Sequence, residues 1–423
     1  MAESVRNFVK AHHEWMNTTL NMIASENITS PAVREVVASD FSHRYAEGEP
    51  KERLYQGCKY IDDVELIAIG LAKKLFKAEH VNVKPVSGAI ANLALFTALA
   101  KPSDTLMALS VPSGAHISTA KFGAAGVRGL KVESIPFDHK EMNVDVDGMV
   151  KKVREVRPKI ILFGGSIFLF PHPVKEAREV ANEIGAYIGY DAAHVFGLIA
   201  GKQFQDPLNE GADVVTSSRH KTFPGPQGGV ILCKQVLAKK IDAAVFPGLV
   251  SNHHLHHIAG FAIALAEMLE FGEAYAKQII KNAKTLAEQL YNFGFDVLCA
   301  HKGFTTSHQI VINVSKIGGG AKIAQSLEES NIIVNKNLLP WDTIEHPKDP
   351  SGIRIGVQEL TRLGMKEEEM VKIAEFIKRV ALDKENLDKV RSEVIQFRQN
   401  FKKVHYCFDS AIEAYQYIDF KLG

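Results

Sequence analysis

The chain has 423 residues, too many for one small core and enough for two or three substructures. Its 46% hydrophobic and 23% charged residues are those of an ordinary globular protein, and 50 basic against 49 acidic residues leave a formal charge of +1. That balance gives no reason to propose a nucleic acid or a membrane surface as partner.

The first twenty residues are charged and amphipathic and lack the apolar core of a signal peptide. No apolar run approaches the ~18–20 residues that span a bilayer. Cys58, Cys233, Cys299 and Cys407 stand far apart, so idle thiols in a reducing compartment are expected. A cytoplasmic enzyme is the expectation. From about residue 78 to 233, short apolar runs at 81–83, 105–109, 159–163, 187–190, 213–216 and 229–232 alternate with helix-like stretches at 88–99 and 173–184. This alternation predicts a mainly parallel sheet covered on both faces. A long helical stretch follows from 258 to about 289. Beyond it come strand-like 309–313, helix-like 321–328, strand-like 332–335 and a helix from Lys366. The pattern reads as a large α/β domain followed by a smaller C-terminal α+β domain. The last forty residues read as helical and charged.

In an α/β sheet, functional groups gather where strands end. Asp191 ends one apolar strand, with His194 three residues on; after the next, Ser218-Arg219-His220-Lys221-Thr222 precedes the turn-rich Phe-Pro-Gly-Pro-Gln-Gly-Gly. Alone, such an Asp is usually a cap and such a Lys a solvated charge. Together in this order they suit pyridoxal phosphate. The lysine amine forms a Schiff base with the cofactor, and the carboxylate pairs with the pyridine nitrogen so that the ring accepts electrons.

Further stretches extend the pattern: Ile23-Ala24-Ser25-Glu26-Asn27, Arg44-Tyr45-Ala46-Glu47-Gly48, Arg53-Leu54-Tyr55-Gln56-Gly57-Cys58, Ser87-Gly88-Ala89-Ile90-Ala91-Asn92, Gly114-Ala115-His116, Asn335-Lys336-Asn337 and Ser351-Gly352-Ile353-Arg354. In this order, from about Ile23 to Gly364, the chain resembles serine hydroxymethyltransferase, and within that family the archaeal branch. The resemblance implies the fold-type I, aspartate aminotransferase-like architecture of pyridoxal-phosphate enzymes. It also implies a homodimer with active sites shared between subunits. The corresponding division is an N-terminal arm at the dimer interface (1–53), a large cofactor domain (54–265) and a small domain (266–423).

Carried over, Lys221 is the Schiff-base lysine and Asp191 the pyridinium partner. His116 stacks on the ring, His194 sits near the phenolic oxygen, His220 lies beside the lysine, and Ser166 lines the cofactor. Gly88 and Ala89 begin the phosphate-binding helix, and Ser251 and Asn252 stand where paired glycines are usual. Arg354 grips the substrate carboxylate, a role that suits a planar two-pronged donor, and Ser25 assists. Glu47, Tyr45 and Tyr55 reach in from the neighbouring subunit. Glu47 handles the proton during cleavage of the Cα–Cβ bond, Tyr45 donates to the phosphate, and Tyr55 lines the substrate site. The implied reaction moves the hydroxymethyl group of serine to a reduced pterin and leaves glycine.

Several positions depart from the family pattern. Ala89 replaces a serine, and Arg219 stands where a threonine is usual. An arginine there is expected either to replace phosphate contacts or to depress the lysine pKa. Leu54, Lys51-Glu52 and Gln227 leave the carrier open between tetrahydrofolate and tetrahydromethanopterin. They also leave open a pterin-independent aldolase or transaldolase acting on threonine-like amino acids. A silent regulatory relative is the third reading, against which Lys221, Asp191, His116 and Arg354 speak. The cluster His253-His254-Leu255-His256-His257 invites a metal reading, but an interface or phosphate-facing role is expected and no metal is.

Overall fold

Successive residues of a strand point to opposite faces, and both faces of the main sheet are buried. Leu106, Ala108, Ile160, Leu162 and Val214 enter one apolar cluster, with the helices Gly88–Leu99 and Ala238–Val245. Met107, Ile161, Phe163, Ile188, Tyr190 and Val215 enter another, with the helices Lys59–Phe76, Val174–Ile184 and Leu255–Asn292. This two-sided burial explains why the strands read as continuous apolar runs rather than alternating ones. The coordinates are a computed structural model that describes residues 1–343 and 348–419.

The large sheet comprises β1 (His80–Asn82), β2 (Thr105–Ala108), β3 (Lys131–Ser134), β4 (Ile160–Gly164), β5 (Tyr187–Asp191), β6 (Val214–Ser218) and β7 (Gly229–Cys233). Its seven strands lie in the order β1-β7-β6-β5-β4-β2-β3. The pairs from β6 through β3 are parallel, whereas β7 runs antiparallel to both β6 and β1. Gly189 sits where the 88–99 helix crosses β5, and an added Cβ would lie 2.7 Å from Leu162 and 3.0 Å from Leu95. A second sheet of four strands, β8 (Asp296–Val297), β9 (Gln309–Asn313), β10 (Asn335–Asn337) and β11 (Gly352–Gly356), has the order β8-β9-β11-β10 and is antiparallel throughout. The 38-residue helix Leu255–Asn292 buries residues along its length and joins the two regions.

Three expectations are corrected. Strand β3 has no counterpart among the predicted runs, because Lys-Val-Glu-Ser forms a half-exposed edge with little apolar signal. The expected strand at 332–335 is two pieces: Ile332–Ile333 pairs in parallel with Leu20–Asn21, whereas Asn335–Asn337 is the edge of the small sheet. The last forty residues contain the helix Leu387–Arg398, and from 399 to 419 the chain has no helix or strand. That tail is tied down by other means: the His405 N–H donates to the Arg362 carbonyl at 2.7 Å, and Val404 and Ala414 pack with Ile28 and Leu363. Among the described residues no helix is long and apolar enough to cross a membrane.

Candidate active site

Strand ends of the large sheet, the start of the 88–99 helix and strand β11 converge on one cavity of about 420 Å³. Ser25, Gly88, Ala89, His116, Ser166, Asp191, His194, His220, Lys221 and Arg354 all line it. A wider outer chamber of about 540 Å³ shares Ser25, His220, Lys221 and Gln227 with it. Ten of the fifteen residues singled out in the sequence therefore meet at one place.

Lys221 follows β6 by three residues. Burial, with the charge of Arg354 adding and that of Asp191 opposing, brings its amine from 10.5 down to about 8. An appreciable neutral fraction near physiological pH makes the amine a usable nucleophile and base. The segment around Ser25 is tied to this lysine, because the Asn27 side-chain amide donates to the Lys221 carbonyl at 2.6 Å.

Asp191, at the end of β5, is oriented by donors. Its Oδ2 accepts from Asn92 Nδ2 at 2.8 Å and its Oδ1 from the Ala193 N–H at 3.0 Å. The same Asn92 amide donates to Ser118 Oγ at 3.0 Å and accepts from the Thr216 hydroxyl at 2.6 Å. The Ser118 hydroxyl passes the chain on to His116 Nδ1 at 2.8 Å. One buried asparagine thus links the 88–99 helix, the acid and the loop histidine.

The cavity histidines are held neutral. Burial pushes His194 well below 6.5, with Lys221 and Arg354 contributing, and takes His220 to about 4. His116 is also lowered by burial, with Asp191 opposing. Arg354 is 7% exposed, donates to Asn335 Oδ1 at 3.0 Å and to the Ser166 carbonyl at 2.6 Å, and has no carboxylate partner among the described residues. A buried guanidinium without an anion is costly to maintain. It is a ready receptor for a carboxylate entering from the cavity.

The cavity also fits a phosphorylated cofactor. Ser87 caps the 88–99 helix by accepting from the Ile90 N–H, and Gly88 and Ala89 open on the cavity, where first-turn N–H groups lack helical acceptors. The Ser218 hydroxyl is buried without a partner among the described residues, and a Cβ added at Gly88 would lie 3.3 Å from the Ser218 Cβ. The hydroxyl missing at Ala89 leaves these backbone donors in place.

Arg219 behaves otherwise than expected. Its side chain is 1% exposed and turns away from the cavity, lying against the Phe261 ring at 4.8 Å and the Val83 and Gln227 carbonyls at 3.5 and 3.4 Å. Room for it exists because residue 228 is glycine; a Cβ there would lie 1.7 Å from the guanidinium. Burial and Arg354, rather than Arg219, lower Lys221.

Five predicted residues lie outside the cavity. Tyr45 and Glu47 lie on the arm and Tyr55 just after it; the two tyrosines are exposed, with ring centroids 5.0 Å apart. Asn252 joins them, accepting from the Ala46 N–H and donating to the Arg44 carbonyl, each at 3.0 Å; Ser251 precedes it. Beneath this arm is a buried ionic base. Arg53 donates to Asp62, Glu65 and the carbonyls of Ala46 and Gly48, while Glu65 also meets His253 at 2.9 Å and Lys84 at 3.8 Å. His253 is therefore a hydrogen-bond partner of Glu65, and among the described residues no cluster of three or more His, Cys, Asp or Glu is arranged to hold a metal.

Sequence reading did not single out Asn92, Ser118, His308 or Gln309 as site residues. His308 stacks beside His194 and donates to the Ala24 carbonyl at 3.1 Å. Nothing in the run Ser-His-Gln-Ile-Val distinguishes it from an ordinary strand.

The family model described as serine hydroxymethyltransferase matches residues 1–377. A protein named serine hydroxymethyltransferase from Methanosphaera stadtmanae is 60% identical over 419 residues, 99% of each chain. One of the same name from Methanocaldococcus jannaschii is 61% identical over 420 residues, 98% of each. Among solved structures, an L-threonine transaldolase from Pseudomonas fluorescens, in an internal aldimine state, superposes with a TM-score of 0.88 at 29% identity, covering 96% of this chain and 93% of its own.

Proposed function

The chain belongs to the serine hydroxymethyltransferase family, and we propose that it moves the hydroxymethyl group of serine to a reduced pterin, releasing glycine. It is a pyridoxal-phosphate enzyme of fold type I. The observation that carries the site assignment is the one cavity lined together by Lys221, Asp191 and Arg354, the last without a carboxylate partner among the described residues.

When bound, pyridoxal phosphate supplies an electron sink for the bond being cleaved. In our reading Lys221 would anchor it, Asp191 would pair with its ring nitrogen, and His116 would pack against it. The first turn of the 88–99 helix takes the phosphate with Ser218. Arg354 and Ser25 would bind the serine carboxylate and so orient the bonds at Cα. Neutral His220 holds no charge against the lysine and leaves Lys221 free to shuttle a proton. Glu47 handles the proton of the serine hydroxyl.

Glu47, Tyr45, Tyr55, Ser251 and Asn252 form a separate cluster with exposed aromatics, which supports a homodimer whose arms complete each other's sites. We divide the chain accordingly into an arm (1–53), a large domain (54–265) and a small domain (266–423). Tetrahydrofolate and tetrahydromethanopterin are the candidate carriers, and the cytoplasm is the proposed compartment.

A second reading, a pterin-independent aldolase or transaldolase, is favoured by the likeness to the L-threonine transaldolase. Relatives about 60% identical along the whole chain weigh against it. Turnover of serine and of allo-threonine, each with and without the two pterins, separates them. Serine cleavage that depends on a pterin is the expected result; allo-threonine cleavage without serine turnover would favour the second reading.

A further inference from the structure

Gln309, at the start of β9 in the small sheet, is fully buried and reaches across to the cofactor side of the large sheet. Its carboxamide has one possible orientation. Oε1 accepts from the Phe168 backbone N–H at 2.7 Å, and Nε2 donates to the Ser166 backbone carbonyl at 2.9 Å. An N–H cannot accept and a carbonyl cannot donate, so the amide cannot be flipped. The second Nε2 hydrogen then points at His194 Nδ1, 2.8 Å away. His308 Nε2, whose hydrogen goes to the Ala24 carbonyl, is 3.4 Å from that same Nδ1. His194 Nδ1 must therefore be an acceptor, which leaves its ring proton on Nε2. His194 lines the cavity with Lys221 and Asp191, so this proton is available to a group bound there.

We propose that Gln309 is a positioning residue that fixes His194 as the Nε2–H tautomer, so that a neutral donor faces the phenolic oxygen of the cofactor. The inference rests on the cofactor site proposed above. A donor on that oxygen competes with the proton shared between it and the lysine–cofactor nitrogen. It thereby lowers the pH at which this nitrogen deprotonates. Ser166 is served by the same amide, and its carbonyl also accepts from Arg354. Gln309 thus ties the substrate-carboxylate group and the cofactor-facing histidine to one side chain.

The test is the visible absorbance of the cofactor-loaded enzyme as a function of pH. Gln309→Met, of similar length but without the donor, should raise the midpoint by ~0.5 unit or more. In a His194→Ala background the same substitution should add nothing, because the group it acts through is gone. A midpoint within ~0.2 unit of the wild type, or an equal shift in both backgrounds, would overturn the assignment. Should the Met variant not fold, the ring ¹⁵N resonances of His194 in wild-type holoenzyme decide it: protonated Nε2 with bare Nδ1 supports the inference, and the reverse contradicts it. Wild-type protein that takes up no cofactor would instead defeat the site assignment itself.

Discussion

The Lys221 cavity and the end of the arm, with Tyr45, Glu47 and the Tyr55 that follows it, solve opposite problems with the same materials. In the cavity, burial strips charge from histidines, and carboxamides from Asn92 and Gln309 orient the acid and the imidazole. The groups that remain open, Lys221 and the Arg354 guanidinium, face inward. At the arm's end the charge is underneath: Arg53 and Glu65 have side chains 3% and 1% exposed, and the aromatics they support face outward, with the neighbouring Leu54 69% exposed. A rigid ionic base under an exposed apolar tip makes little sense for a chain acting alone. The difference teaches that the cavity turns its free groups inward while the other region turns its apolar groups outward, as the proposed sharing of sites between two copies requires.

The most drastic way to break this comparison is complementation. Glu47→Gln and Lys221→Ala should each nearly abolish serine turnover. Hybrids assembled from the two variants hold one intact shared site of two and should recover about half of the wild-type rate per chain. No recovery in verified hybrids would mean that the arm serves its own chain.

A smaller effect sharpens the contrast at the arm's base. Burial alone would raise the Glu65 carboxyl, but His253, Lys84 and Arg53 hold it below its ordinary range. Glu65→Gln keeps the shape and leaves the cations unanswered, at a cost of about 3 kcal/mol in denaturant unfolding. Cofactor uptake at Lys221 should survive in the folded fraction. Loss of uptake with unchanged stability would refute the separation of the two regions.

The smallest expected effect concerns the outer chamber and the tail. Glu359 accepts hydrogen bonds from Tyr415 and from Asn21, and burial raises its carboxyl to about 7. A carboxyl raised on folding adds stability below its ordinary 4.5 that is lost as the pH climbs through about 7. Glu359→Gln should therefore lose less stability than wild type between about pH 5 and about pH 8, by at most ~3 kcal/mol. Parallel pH profiles for the two proteins would contradict it.

The legible parts of the molecule were those written locally. Strand ends marked Asp191 and Lys221, and apolar runs marked β2 and β4 to β7, because burial on both faces leaves a one-dimensional trace. The family resemblance added His116, Arg354 and the arm, where local pattern showed only turns. What stayed hidden has no local trace. Asn92 lies in a helix apolar on every side, and Gln309 matters through partners 141 and 143 positions away. Edge strand β3 is too polar to announce itself, and the tail after 398 is held by scattered contacts rather than a period.

The central claim is a covalent one, and borohydride reduction of the cofactor-loaded protein followed by peptide mapping tests it most directly. The account predicts a single pyridoxyl-lysine at Lys221, absent from Lys221→Ala protein. Well-folded protein that stays colourless with excess cofactor, or a label on any other lysine, would contradict it.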